Sequence, residues 1–161
     1  MIRIVLDDNG LIARWHSLDR SFAERYRGAL AMMGAIAQRE IARAAPAGAT
    51  GILAHSITWE VRGSGWRSSA VVFSTDEPLK VLAVEYGRRP GKFPPWREGS
   101  ALALWVKRML GGDERVSFLV ARAIARRGTK ARRFFERGAT QAEPKIVQVW
   151  STLVAELEAV L

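Results

Sequence analysis

Between Phe22 and Ile41 an apolar or aromatic residue returns at every third or fourth position: Phe22, Tyr26, Leu30, Met33, Ala37 and Ile41. At helical periodicity these positions share one face, and the charges Glu24, Arg25, Arg39 and Arg43 fall mostly off it. The spacing predicts an amphipathic helix of about seven turns. Ser17 or Asp19 is the expected cap. The helix should stop near Ala45, because the residue before a proline is pushed out of helical geometry and Pro46 follows. The pair Met32-Met33 reads as core filler rather than as ligands. So long a stripe needs a broad apolar partner, and the rest of the chain must supply it.

The period then changes. Ala47-Gly48-Ala49-Thr50-Gly51 is a turn of small residues, and the pattern from Ile52 onward reads as β. Ile57, Trp59 and Val61 alternate with Thr58, Glu60 and Arg62. Gly63-Ser64-Gly65 reads as a hairpin turn, with Trp66 to Ser74 as the returning strand. After a turn at Thr75-Asp76-Glu77-Pro78, the alternation of Val81, Ala83 and Glu85 with Leu82, Val84 and Tyr86 predicts a third strand. Ile2, Ile4 and Leu6 form a weaker strand pattern before the turn Asp8-Asn9-Gly10.

A basic, proline-rich loop follows from Arg88 to Arg97, with Phe93 and Trp96 expected at the surface. Two short helices are expected at Ser100 to Leu110 and Val116 to Arg127, broken at Gly111-Gly112-Asp113, with Gly128 as a C-terminal cap. The last helix is expected from Thr140 to Leu161, where Thr140 and Glu143 have the spacing of a capping box. Ile146, Trp150, Leu153, Val154, Leu157 and Leu161 would share its inner face. The expected fold is α+β: a long N-terminal helix packed on a small antiparallel sheet, a basic helical insertion and a C-terminal helix. It reads as a single domain over 1–161 with the insertion at about 88–133.

Composition narrows the function. The 161 residues suffice for a core without staples, and the absence of cysteine excludes disulfides, Cys-ligated zinc and a thiol nucleophile. No apolar run approaches a bilayer span, and the first residues are too short and acidic for a signal peptide, so the chain reads as neither exported nor membrane-bound. The net charge of +9 is strongly segregated. Arg88 to Arg133 holds thirteen Lys/Arg against three Asp/Glu; the remainder holds twelve against thirteen. Positive charge gathered in one stretch points to a polyanion or an acidic partner.

Catalysis finds little support. The two histidines, His16 and His55, stand in no Ser-His-Asp or metal-ligand spacing, and neither catalytic, cofactor-binding nor metal-binding residues are expected. A small enzyme would have to gather His55, Glu60 or Glu85 in one pocket. The two middle helices resemble a helix-turn-helix in outline only. Their second helix begins Val116-Ser117-Phe118-Leu119-Val120, which reads as buried, and its arginines Arg122, Arg126 and Arg127 come late. That placement suits phosphate contact rather than base reading.

Several short motifs keep a set order. The long helix closes in Ala45-Pro46. Next come Thr50, Gly51, Leu53, Ser56 and Ile57, then Glu85-Tyr86-Gly87. Gly128-Thr129 and Phe134-Phe135 stand ahead of the last helix. In this order the chain resembles the head–tail joining proteins of long-tailed bacteriophages, the neck or tail-completion proteins related to minor tail protein Z. The resemblance covers about Phe22 to Leu161. It implies a non-enzymatic virion protein, assembled in the host cytoplasm as a ring, commonly sixfold. The ring would sit between head-completion or adaptor proteins and the tail tube or terminator, join the filled head to the tail, and line the DNA passage. A tail terminator is an equally small ring subunit, and the motifs leave that choice open.

The expected surface toward DNA or a partner is Arg88, Arg89, Lys92, Arg126, Arg127, Lys130, Arg132 and Arg133. Gly51, Gly87 and Gly128 are expected at backbone turns, with Phe134 and Phe135 anchoring the late loop. The same basic stretch would also serve a free-standing, sequence-nonspecific nucleic-acid-binding protein.

Overall fold

The computed structural model describes residues 2–3, 20–48 and 50–159. Ile4, Leu6, Asp8, Asn9, Gly10, His16, Ser17, Asp19, Ala49 and Leu161, named above, lie outside them. The elements are β1 (Ile2–Arg3), α1 (Arg20–Ala44), α2 (Ile52–His55), β2 (Ile57–Arg62), β3 (Ser69–Ser74), α3 (Pro78–Tyr86), α4 (Ala101–Leu110), α5 (Glu114–Arg127) and α6 (Phe134–Glu158). The fold is α+β. Its antiparallel sheet runs in the order β1-β3-β2, with Trp59 opposite Val72 and Ile2 opposite Val72 on the other side.

The stripe of α1 is the spine of the core. Phe22, Tyr26, Leu30, Met33, Ala37 and Ile41 are all buried, and a fully buried large side chain of this kind stabilises by about 1.5–3 kcal/mol. Their partners are the inner face of α6 (Ile146, Leu153, Leu157) and the sheet residues Ile57 and Val72. The two long helices run antiparallel: Lys145 reaches Glu40 at 2.7 Å, while Trp150 meets Tyr26 edge-on at 6.3 Å. They approach so closely at Gly138 that a Cβ there would overlap the Ile41 backbone. Gly34 makes room in the same way for the Trp59 ring of β2, 2.7 Å from where a Cβ would stand. Gln38 then bonds the Ile57 carbonyl at 2.8 Å, tying α1 to the start of β2.

Several boundaries differ from the sequence expectation. Ile52 opens a single helical turn and the strand starts at Ile57. Gly51, at φ 68°, reverses the chain, and its carbonyl accepts both the His55 amide at 3.2 Å and the His55 ring at 2.8 Å. Trp66 lies in a 3-10 turn (Gly65–Arg67) and packs on Tyr26 at 5.4 Å, so the returning strand begins at Ser69.

The expected third strand is the helix α3. Residues 81–84 are apolar on both alternate sets, so period two had no polar face to mark it. Pro78 decides the matter: it stands in the first turn, where its missing N–H costs nothing.

Helix α6 starts at Phe134, not Thr140; Thr140 sits inside it and donates its hydroxyl to the Glu136 carbonyl at 3.0 Å. The start of α5 is not buried as expected: Ser117 is, but Phe118 and Leu119 face solvent.

Candidate functional site

The insertion leaves the body between α3 and α6, and Glu85 builds its root. Residue Arg133 precedes α6 at φ 47° and supplies no side-chain cap. The buried Glu85 carboxylate does so instead: Oε2 accepts the Phe135 amide at 2.9 Å and Oε1 the Glu136 amide at 3.2 Å. A carboxylate there also meets the positive end of the helix dipole. In return, the Arg132 and Arg133 amides donate to the Val84 and Glu85 carbonyls at 2.9 and 3.0 Å, satisfying the end of α3. Phe134 and Phe135 are buried directly behind this exchange, their rings 4.9 Å apart.

One step outward the strands of the root pair. The Arg88 amide reaches the Thr129 carbonyl at 3.2 Å and the Thr129 hydroxyl at 3.0 Å, and the Thr129 amide reaches the Arg88 carbonyl at 2.9 Å. Glycine is required on both sides. Gly87 (φ 78°) has no room for a Cβ against the Thr129 carbonyl oxygen, nor Gly128 (φ 71°) against that of Arg88. Two motifs some forty residues apart in the chain are thus one structural object.

Beyond the root, α4 and α5 pack on each other as an arm. Ser100 and Asp113 cap them, accepting the Ala103 and Val116 amides at 3.1 Å each, and Gly111 turns the chain between them at φ 62°. Phe118 stacks on Phe93 at 5.7 Å and meets Trp96 edge-on at 5.1 Å, with the Arg97 guanidinium 5.7 Å from the Trp96 ring. The sequence showed these aromatics as isolated. Their spacing from Phe118 is too long for any local pattern to reveal the cluster.

The eight expected cations surround the root rather than the tip. Arg88 and Arg89 leave α3; Lys92 follows Gly91, whose amide bonds Ala125 at 2.8 Å; Arg126 and Arg127 close α5; Lys130, Arg132 and Arg133 return to the body. Arg88 is half-buried and the rest are exposed. Among the described residues, only Arg133 of the eight forms an ion pair, with Glu136 at 3.4 Å.

The other motif group makes a separate corner. Pro46 follows α1, the Thr50 hydroxyl accepts the Ile52 amide at 3.4 Å, and Leu53 is buried. Ser56 donates to the Leu53 carbonyl at 2.7 Å, lies 2.7 Å from the Ser74 hydroxyl, and its own carbonyl takes the Thr75 amide at 2.9 Å. This corner joins α1 to the hairpin. Arg137, in the first turn of α6, links it toward the root by bonding the Ala44 carbonyl at 3.0 Å.

His55, Glu60 and Glu85 share no pocket. His55 is held on Gly51, Glu60 pairs with Arg62, and Glu85 is spent on the α6 amides. Among the described residues no cluster of His, Asp and Glu has the makings of a metal site, and no helix is long and apolar enough to cross a membrane.

Residues 9–88 match the model of the family described as Bacteriophage HK97-gp10, putative tail-component. Over that stretch the chain is similar to this bacteriophage tail-component family, in keeping with the resemblance to head–tail joining proteins. The match runs through α1, the sheet hairpin and α3 and ends at Arg88, where the arm begins. No curated protein and no solved structure matches the chain.

Proposed function

We propose that the protein is a non-enzymatic structural subunit of the phage head-to-tail interface, a neck or tail-completion protein that assembles as a ring. The observation that carries this reading is the tail-component family match over residues 9–88. The ring joins the DNA-filled head to the tail, between head-completion or adaptor proteins on one side and tube or terminator proteins on the other.

The charge distribution supports a second element of the reading. Among the described residues, Arg88, Arg89, Lys92, Arg126, Arg127, Lys130 and Arg132 have no carboxylate partner, and they surround a doubly paired root. Repeated around a ring, they make a wall that holds a DNA backbone without reading its sequence. The expected weakness of one subunit alone, and its strength when multiplied, follow from effective concentration.

The test is reconstitution. Heads and tails from a lysate lacking this protein are mixed with the purified chain. Joined, infectious particles are the expected result; heads and tails that stay apart whatever the amount added contradict it. The same cations also fit a free-standing nucleic-acid binder. That reading expects tight, steeply salt-dependent DNA binding by the single subunit and no effect on joining.

A further inference from the structure

The arm carries aromatic rings that its own packing leaves open. The buried residues of α4 and α5 are small: Val106, Ser117 and Ala121. Phe93 and Phe118 are instead 47 and 38% exposed, and Trp96 is half-buried. Phe118 holds the three together, stacked on Phe93 at 5.7 Å and edge-on to Trp96 at 5.1 Å. Rings fixed by one another and still open to solvent offer ready π-faces to a ligand.

Charges of both signs border these rings. A groove of about 940 Å³ is lined by Trp96, Phe118, Arg97, Arg115, Asp113 and Glu114, a size within the range of ligand sites. The Arg97 guanidinium lies 5.7 Å from the Trp96 ring. Among the described residues, Arg97, Arg115 and Glu114 form no ion pair. Asp113 spends one carboxylate oxygen on the Val116 amide at 3.1 Å. The exposed cations Arg89 and Lys92 precede Phe93 in the same loop.

We propose that this groove stacks unpaired bases, so that the arm binds single-stranded DNA. An acidic protein surface would meet repulsion from Asp113 and Glu114. A duplex keeps its base faces stacked on one another and closed to the rings. The mixed lining matches the parts of an unpaired nucleotide. The rings take the base face, the carboxylates accept from base amino groups, and Arg97 and Arg115 meet the flanking phosphates. From there the strand's backbone runs on past Lys92 and Arg89 toward the root. The inference rests on the reading above only in that the basic stretch meets DNA; it names the form of DNA held at the arm. The groove lies outside residues 9–88, beyond the family match.

Fluorescence anisotropy with the full chain tests this. It compares an unpaired oligonucleotide of about twelve nucleotides with a duplex of the same length. The single strand should bind more tightly. Phe118→Leu keeps an apolar side chain and removes the π-face. It should weaken single-strand binding about tenfold and leave duplex binding unchanged. Phe118→Tyr keeps a ring and should bind like the unmodified chain. Stacking releases no counterions, so the slope of log affinity against log salt should be the same in Phe118→Leu as in the unmodified chain. The single strand should also quench tryptophan emission, and quench it less in Trp96→Phe. Phe118 is at the surface, so its variants should keep the circular dichroism of the unmodified chain.

A duplex bound as tightly as the single strand, with no effect of Phe118→Leu, overturns the inference and leaves the DNA contact of the root cations standing. Phe118→Leu weakening both forms alike assigns the ring to the packing of the arm and overturns it as well. Binding of neither form removes both the inference and the DNA contact it rests on.

Discussion

The carboxylate of Glu85 lies 2.9 Å from the amide of Phe135, fifty residues further along the chain. One side chain thereby ends α3 and starts α6, and the basic arm is held in the loop between them. Replacing Glu85 by Ala leaves the Phe135 amide buried without a partner, which costs about 2–3 kcal/mol. Glu85→Gln keeps the acceptor for one of the two amides but turns an NH2 donor toward the other and loses the charge at the helix end, a smaller cost of about 1–2 kcal/mol. Urea unfolding of the two variants should show this order.

The root glycines give a second expectation. Gly87→Ala and Gly128→Ala each force a side chain into a positive-φ extended backbone that only glycine adopts readily (ψ 178° and −162°), about 1–3 kcal/mol, and add an overlap with a carbonyl oxygen across the bridge. Both should lower the melting temperature. Hydrogen exchange at the Arg88 and Thr129 amides should rise more than in α1. An unchanged protection pattern there would show that the root is not what these glycines serve.

The third concerns pH. The Lys145 ammonium bonded to Glu40 is the main cause holding that carboxyl below the ordinary glutamate range, with burial opposing it and the charges of Lys145, Arg43 and Arg39 helping. A carboxyl depressed in the folded state contributes stability at pH above its unfolded value, and that contribution is lost as pH falls through the folded one. Asp76, bonded to Lys80 and lowered mainly by it, acts in the same direction. Stability measured across the acid range should fall less steeply in Glu40→Gln than in the unmodified chain.

At the helix crossing, Gly138→Ala drives a methyl into the Ile41 backbone, which cannot move aside as a flexible side chain would. Overpacking of this kind costs about 1–3 kcal/mol. Gly28→Ala, with open space around it on exposed α1 surface, should instead be neutral or slightly stabilising. Thermal unfolding of the pair separates crowding from helix propensity.

The cations at the root yield a fifth. Arg127→Ala and Lys130→Ala should each weaken DNA binding evenly across sequences. Each should also reduce the slope of log affinity against log salt by about 1. A slope that does not change places these residues away from the phosphates.

The long helix was legible because the stripe from Phe22 to Ile41 repeats six times with one period, and every member is buried. The hairpin was legible because Ile57 to Arg62 alternates cleanly. The helix at 78–86 was not, because Leu79, Leu82 and Tyr86 are apolar yet point outward, and a sequence pattern assumes that apolar residues point in. The start of α6 was misplaced for a related reason. Its cap is Glu85, far away in sequence, while Thr140 and Glu143 imitate a local one. The basic patch was visible in composition, but its gathering at the root depends on the pairing of Arg88 with Thr129, which no local pattern shows.

The central claim is a joining role, and electron microscopy of particles from a strain lacking this gene tests it most directly. The account predicts DNA-filled heads lying beside separate tails of full length. Normally joined particles would contradict it.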